Sequence, residues 1–135
     1  MTQDIKKIGI IAGGGALPDA MVEHCANKGI PFQVITFKGQ PQPQKIEDYE
    51  IHVTELALGQ VGKVMETFKE KLVTHVVMVG HFEKPSLFDL RFDMLGLKLM
   101  NSVRRKHDDE LLNTVCTFLE KEGFEVLGAH ELAPQ

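Results

Sequence analysis

Apolar residues in this chain form short unbroken runs, and longer amphipathic segments separate one run from the next. Runs that are rich in β-branched residues and apolar on both faces predict buried strands. They occupy residues 8–12, 32–37, 75–80 and 124–127, and a more mixed run at residues 49–56 predicts a strand that is third in chain order. Five strands are therefore expected.

Helices are predicted between most of these strands. The first covers residues 17–27 and ends at Lys28 and Gly29, the second covers residues 63–72, and the last begins at Asp108 and Asp109 and ends at Gly123. Residues 38–44 are polar, which predicts an exposed loop. Strands that alternate with helices favour a parallel sheet covered on both faces, with right-handed crossovers. The expected fold class is α/β, a Rossmann-like three-layer sandwich around a mostly parallel sheet of about five strands.

Length and charge limit the possible partners. The 135 residues, of which 43% are hydrophobic and 25% are charged, suit one domain that spans residues 1–135. The net charge of −4 and the pI near 5.8 argue against a nucleic-acid partner, which would need a broad basic surface. The basic residues that cluster locally are Lys98, Arg104, Arg105 and Lys106.

The amino terminus and the cysteines indicate the compartment. The amino terminus passes directly into the first strand, so the sequence predicts neither a signal peptide nor a membrane span, and the cytoplasm is the expected location. Cys25 and Cys116 lie far apart in helical patterns, whereas small secreted domains use more cysteines to build a disulfide framework. Both are expected to be reduced and buried.

Three consecutive glycines follow the first strand, and a helix with Pro18 in its first turn begins directly after them. Gly13, Gly14 and Gly15, called the glycine turn below, can adopt positive φ and let a ligand approach the backbone closely. The helix points its unpaired N–H groups and the positive end of its dipole at the same place, which predicts a phosphate or sugar ligand. A tight strand-to-helix turn without a ligand is the alternative.

Two common nucleotide-binding motifs are excluded. Pro18 stands where the dinucleotide fingerprint G-x-G-x-x-G needs its third glycine, and Lys38 follows the second strand where an acidic residue would hold a ribose hydroxyl. NAD is therefore not expected. Val64 follows Gly62 and Lys63, and because valine has no hydroxyl for a magnesium ion, there is no Walker motif.

Two histidines follow strands at the edge of the sheet where open α/β folds bind ligands. His81 comes after the fourth strand and His130 after the fifth, so both are expected to face the glycine turn. Together with Gly80 they are candidate substrate contacts, although a histidine with a structural hydrogen bond is the commoner case. The sequence predicts no metal site, because it contains no H-x-H, H-E-x-x-H or C-x-x-C spacing.

Asp108 and Asp109 form an adjacent pair of carboxylates. Magnesium often takes one or two carboxylates together with phosphate oxygens, so this pair is a candidate for a cation carried by a phosphorylated substrate. Helix capping is the alternative, because an aspartate at the start of a helix is a good N-cap and its charge favours the helix dipole.

Residues 87–103 are apolar on more than one helical face. One stripe contains Phe88, Phe92, Leu95, Leu99 and Val103, and a second contains Leu87, Leu90, Met94 and Leu97. A helix that packs only on the sheet needs fewer apolar residues, so the surplus indicates a second buried contact with a protomer, another domain, an acyl chain or a membrane surface. A protein contact is favoured, and a homodimer through this segment is one form of it.

Four segments spread over nearly the whole chain together resemble one protein family. They are residues 11–18, which contain the glycine turn, residues 58–63, the Asp108 and Asp109 pair followed by two leucines, and residues 122–131. In sequence and order they resemble the UDP-2,3-diacylglucosamine pyrophosphatases of the LpxI type, which act in bacterial lipid A biosynthesis.

The resemblance implies a Rossmann-like amino-terminal domain and Mg²⁺-dependent cleavage of a UDP-diacylglucosamine substrate into UMP and lipid X. In this family a carboxyl-terminal domain carries the principal catalytic carboxylate, and it is missing from a sequence that ends at Gln135. The chain is thus expected to be the amino-terminal substrate-cleft domain of such an enzyme, inactive alone and without a catalytic residue of its own. The missing domain is the implied partner, and the implied location is cytoplasmic, at the inner membrane surface.

Two other functions stay open on the sequence. A stand-alone module could bind a nucleotide or sugar phosphate at the glycine turn without catalysis, and residues 87–103 could serve a purely structural dimer. The candidate substrate contacts are Gly13, Gly14, Gly15, Gly80, His81, Asp108, Asp109 and His130.

Overall fold

A parallel sheet organises the part of the chain that the structure, a computed structural model, describes: residues 7–57, 59–83 and 117–127. Its strands are β1 (Ile8–Ala12), β2 (Phe32–Phe37), β3 (Val53–Leu56), β4 (His75–Val79) and β5 (Glu125–Leu127). They lie in the order β3-β2-β1-β4-β5, and all neighbouring pairs are parallel. The expected α/β class is confirmed.

The central strand β1 is hydrogen-bonded on both sides and buried along its whole length. Its first residue, Ile8, pairs with Phe32 of β2 on one side and with His75 of β4 on the other. A strand covered on both faces can be apolar at every position, which is why the run at residues 8–12 predicts its bounds correctly.

Helices cover both faces of this sheet. They are α1 (Leu17–Lys28), a 3₁₀ helix (Ile46–His52), α2 (Val61–Glu70) and a helical segment at residues 117–121. The α1 residues Met21, Val22 and Cys25 pack with one face of β1, and the α2 residues Val64, Met65 and Phe68 pack in the core on the opposite face. Helix α1 leads from β1 to β2 in one direction across the sheet, and α2 leads from β3 to β4 in the opposite direction. Because the two helices also cover opposite faces, both crossovers have the same hand.

The glycine in the middle of β1 lets α2 approach the sheet closely. A Cβ atom on Gly9 would lie 2.6 Å from Cε1 of the Phe68 ring. Phe68 is fully buried and also meets Phe124 edge-on, with 6.1 Å between the ring centroids. The aromatic ring therefore packs directly on the backbone of the central strand.

The predicted third strand begins too early. Residues 49–52 belong to the 3₁₀ helix, and the strand itself covers only Val53–Leu56. Tyr49, Ile51 and Val53 alternate with polar residues and so imitate a strand, yet Tyr49 is buried whereas Ile51 is 90% exposed. The buried Tyr49 packs in the α1 core and anchors a helical turn.

The remaining helix bounds differ from the predicted ones by one or two residues. Helix α1 extends to Lys28, and α2 runs from Val61 to Glu70 instead of covering residues 63–72. Among the described residues, no helix has both the length and the apolar character that a bilayer span requires. The predicted helices between residues 87 and 116 lie outside the described residues.

The helices α1 and α2 and the helical segment at residues 117–121 end in the same Schellman arrangement, in which an N–H group beyond the helix bonds to a carbonyl of the last turn. The bonds run from Ile30 to Cys25, from Val73 to Phe68 and from Phe124 to Leu119. The residue before each donor has a positive φ: 70° at Gly29, 100° at Gly123 and 62° at Leu72. Leu72 thus occupies a left-handed backbone conformation that glycine adopts more easily.

Replacing Leu72 with glycine is expected to stabilise the protein by about 0.5–1 kcal/mol. Glycine removes a left-handed penalty of about 1–2 kcal/mol and loses part of that gain to its greater freedom when unfolded. Leu72→Ala is the control, because it also removes an exposed side chain but keeps the Cβ atom. Urea unfolding measures both, and equal stabilities of the two variants would contradict the assigned strain.

The Cys25 thiol is fully buried, and burial raises its pKa from the ordinary 9.0 to about 11. Cys116, the other predicted core cysteine, lies outside the described residues. The folded protein therefore keeps the Cys25 proton at pH values where the unfolded chain releases it.

The contribution of Cys25 to stability is expected to fall as the pH rises from about 9 towards 11, because in that window the Cys25 thiol ionises only in the unfolded state. The measurement is the free energy of unfolding of the Cys25→Ala variant and of the parent chain, both with Cys116→Ser, at several pH values. The difference between them should shrink with rising pH. A constant difference would contradict the prediction.

Candidate functional site

The sheet order places the carboxyl ends of β1 and β4 side by side at its topological switch point. The chain goes from β1 to β2 on one side, and β4 lies against the other side of β1. Open α/β sheets bind ligands outside the carboxyl ends of their strands at this position. The glycine turn follows β1, and Gly80 and His81 follow β4, so these candidate residues lie at one edge, called the carboxyl edge below.

Backbone hydrogen bonds join the two segments across the switch point. Gly13 donates to the Val79 carbonyl over 2.8 Å. Gly14 donates to the His81 carbonyl over 2.8 Å, and the His81 N–H returns a bond of 3.0 Å to the Gly14 carbonyl. These bonds join the segment after β1 to the end of β4 and the segment that follows it, and they engage the N–H groups of Gly13 and Gly14.

Protein atoms fill the space beside three of the candidate glycines. A Cβ atom on Gly13 would collide with the His81 carbonyl, and one on Gly14 would collide with the Pro41 side chain. At Gly80, where φ is 107°, a Cβ atom would lie 2.8 Å from the Gly13 carbonyl carbon. These glycines permit close approach between segments of the protein itself.

Gly15 is different. Its φ of 99° favours glycine, but a Cβ atom there would meet nothing within 4 Å. The next residues, Ala16 and Leu17, are exposed, and no side chain caps the start of α1. Within the described residues, no hydrogen bond engages the N–H groups of Ala16 or Leu17. Unpaired N–H groups at the start of a helix suit an anion.

The loop at residues 38–45 lies against the glycine turn. The Gln44 N–H donates to the Gly15 carbonyl over 3.1 Å, and Pro43 forms a bridge with Gly15. Gln40 and Pro43 are buried, whereas Lys38 and Gln44 are exposed. The prediction of an exposed loop is therefore wrong for Gln40 and Pro43, because both contact neighbouring segments that are distant in sequence.

The Gln40 side chain makes two hydrogen bonds with the backbone of Glu83. Its Nε2 donates to the Glu83 carbonyl and its Oε1 accepts from the Glu83 N–H, both over 2.8 Å. The carboxamide thus pairs with one residue as a neighbouring strand would. No sequence signal identifies Gln40, because its partner lies 43 residues away.

The Asp19 carboxylate joins the start of α1 to the end of the 38–45 loop. Its Oδ1 accepts from the Lys45 N–H over 3.0 Å and from the Tyr49 hydroxyl over 2.8 Å. Burial, and then the bond to this carboxylate, raise the pKa of Tyr49 well above its ordinary value. Asp19 Oδ2 is buried and has no hydrogen-bond partner within the described part of the chain. The sequence alone does not predict the pairing of Asp19 with Tyr49.

The His81 side chain points away from the core. It is 67% exposed, and its Nε2 lies 3.5 Å from Oε2 of Glu83, which is 62% exposed. The backbone of His81 contacts the glycine turn, as expected, while the imidazole remains accessible at the carboxyl edge.

Comparison with known proteins assigns the fold to a family. A model of the LpxI N-terminal domain matches residues 7–135. The chain belongs to the LpxI N-terminal domain family. It is also 35% identical, over 131 residues, to the UDP-2,3-diacylglucosamine pyrophosphatase LpxI of Caulobacter vibrioides (strain ATCC 19089 / CIP 103742 / CB 15). That alignment covers 95% of this chain and 46% of the relative, so the chain spans about half the length of the curated relative it matches.

The magnesium ion implied by the LpxI resemblance has no matching donor set in the described residues. Within residues 7–57, 59–83 and 117–127, no group of three or more His, Cys, Asp or Glu residues could hold a metal ion. Asp108, Asp109 and His130 lie outside the described residues, and so do residues 87–103. These candidates rest on the sequence alone.

Adding a methyl group at Gly13 is expected to cost about 2–3 kcal/mol of stability, because the displaced atoms are backbone atoms of the Gly14–His81 bridge. Gly15→Ala should cost about 1–2 kcal/mol, because only the positive φ opposes it. Urea unfolding of both variants compares the two costs. A Gly13→Ala variant as stable as Gly15→Ala would contradict the close packing.

Proposed function

We propose that residues 1–135 form the substrate-cleft part of a UDP-2,3-diacylglucosamine pyrophosphatase, which hydrolyses its substrate to lipid X and UMP in lipid A biosynthesis. Membership of the LpxI N-terminal domain family carries this proposal, and the 35% identity to the Caulobacter vibrioides LpxI supports it. The carboxyl edge of the sheet receives the UDP-sugar, since open α/β sheets bind ligands there.

The pyrophosphate group binds at the start of α1 in this proposal. The open N–H groups of Ala16 and Leu17 and the positive end of the helix dipole both favour negative charge. Gly13, Gly14 and Gly80 contribute by shaping the backbone around that position. The exposed imidazole of His81 supplies a further contact from the other side of the switch point.

Three more candidate contacts belong to the proposal through the family resemblance: Asp108, Asp109 and His130. The first two suit the approach of a magnesium ion bound to the pyrophosphate, because magnesium takes few carboxylates and several phosphate oxygens. When bound, such an ion neutralises the developing charge and activates water. Residues 87–103 supply an apolar contact for a second protomer, and the protein works in the cytoplasm at the inner membrane surface.

Catalysis itself is proposed to need the other half of the family protein. This chain corresponds to 46% of the Caulobacter vibrioides relative. Pyrophosphate hydrolysis requires an activated water molecule and charge stabilisation held in one geometry. We place the principal catalytic carboxylate in the part of the relative that this chain does not match, so residues 1–135 alone are inactive, and that part is their partner.

Ligand binding is tested by titrating the ¹⁵N-labelled chain with UMP, UDP-N-acetylglucosamine and lipid X and following backbone amides. Once the carboxyl-terminal half of a family member is present, shifts are expected at Gly15, Ala16 and Leu17, and Gly15→Ala should weaken binding about tenfold or more by distorting that backbone. Gly29→Ala is the matched control, because Gly29 also has a positive φ and open space but lies at the far end of α1.

The outcomes separate the proposal from its alternative. Shifts that appear only after the carboxyl-terminal half of a family member is added support the split cleft. Strong binding of a bare sugar nucleotide by the chain alone favours a stand-alone nucleotide- or sugar-phosphate-binding module. Robust Mg²⁺-dependent release of UMP by residues 1–135 would overturn the claim that this part is inactive alone.

A further inference from the structure

Three segments meet at the carboxyl edge, and each is bonded to the other two. The glycine turn bonds to the segment after β4 through Gly14 and His81, and to the 38–45 loop through Gly15 and Gln44. The third link joins the 38–45 loop to the segment after β4, and it is made by Gln40 and Glu83. The first two links use backbone groups only, whereas the third depends on the Gln40 side chain.

Gln40 is built into this position. It is only 7% exposed, and both polar ends of its carboxamide are engaged by the peptide groups of one residue. Glutamine is a side chain that carries a donor and an acceptor at this reach, whereas a carboxylate would lack the donor. Removing the carboxamide would break both of these partly buried bonds, at a free-energy cost.

We infer that Gln40 is a positioning residue, which holds the segment after β4 against the glycine turn and thereby keeps the ligand-binding edge preorganised. The segment after β4 is fixed at two points, since Gly14 bonds to the backbone of His81 and Gln40 bonds to Glu83 two residues further on. Without the Gln40 link, the bonds to Gly14 hold this segment at one point, and it can move more relative to Gly15. The consequence for ligand affinity rests on the proposed function, whereas the consequence for backbone order does not.

Gln42 provides a matched control in the same loop. It is exposed, and within the described part of the chain its Nε2 donates only to the Phe37 and Gln40 carbonyls, within or beside the loop itself. Truncating Gln42 therefore removes hydrogen bonds of the same chemical type without touching the segment after β4.

Amide hydrogen exchange of the whole chain tests the inference directly. In Gln40→Ala, the amides of Glu83, His81 and Gly14 should exchange about tenfold faster or more, while Val34 in β2 changes less than about twofold. In Gln42→Ala, these amides should keep their parent rates. Acceleration confined to Glu83 would overturn the inference, because the link would then be local.

A second variant keeps the test decisive if Gln40→Ala fails to fold. Gln40→Glu preserves the volume and the acceptor but cannot donate to the Glu83 carbonyl when ionised. It should accelerate exchange at His81 and Gly14 as well, and parent-like rates would overturn the inference.

Ligand affinity separates a positioning role of Gln40 from a merely structural one. If Gln40 only stabilised the fold, affinity would stay unchanged under conditions in which both chains are fully folded. UDP-N-acetylglucosamine, titrated in the presence of the carboxyl-terminal half of a family member, should bind about tenfold more weakly to Gln40→Ala and within about twofold to Gln42→Ala. Equal affinities of Gln40→Ala and the parent would overturn the role in ligand binding. A parent chain that does not bind counts against the proposed function, and hydrogen exchange then decides on Gln40.

Discussion

The antiparallel pairing of Gly14 with His81 is the contact on which the carboxyl edge depends. The segments that follow two adjacent parallel strands normally diverge at a topological switch point, because they leave towards opposite faces of the sheet. Here a pair of backbone bonds holds the two exits together. Glycine is required at positions 13 and 80 because the two backbones come so close there. The 38–45 loop can then lie against a fixed surface.

This pairing distinguishes Gly13 and Gly14 from Gly15 in their packing. Gly13 and Gly14 are engaged with protein partners, and a methyl group on either would collide with them. Gly15 faces open space and leads into the uncapped start of α1. The two hypotheses for the glycine turn are a tight structural turn and a ligand-binding turn. They are compatible, because they concern different residues of the same motif.

Local patterns predict the sheet well and its loops poorly. The bounds of β1 and β2 follow from the sequence because continuous apolar runs signal strands buried on both faces. The meeting of the glycine turn with His81 follows from the shared edge of parallel strands. In contrast, the alternation of apolar and polar residues around Tyr49 imitates a strand. The bond from the Tyr49 hydroxyl goes to a carboxylate 30 residues away, and no local pattern reveals it. Gln40 looks like any loop glutamine until its distant partner is known.

The carboxyl edge is held together mainly by backbone groups, and this affects how its sequence can drift. The side chains of Lys38 and Gln44 are exposed, so exchanges there leave the hydrogen-bond pattern of the loop unaltered. Evolution can therefore vary the charge around the carboxyl edge while its architecture persists. Distant homologues would then share the positions of glycine and proline more than any identity in the loop, and ligand preference could diverge on an unchanged frame.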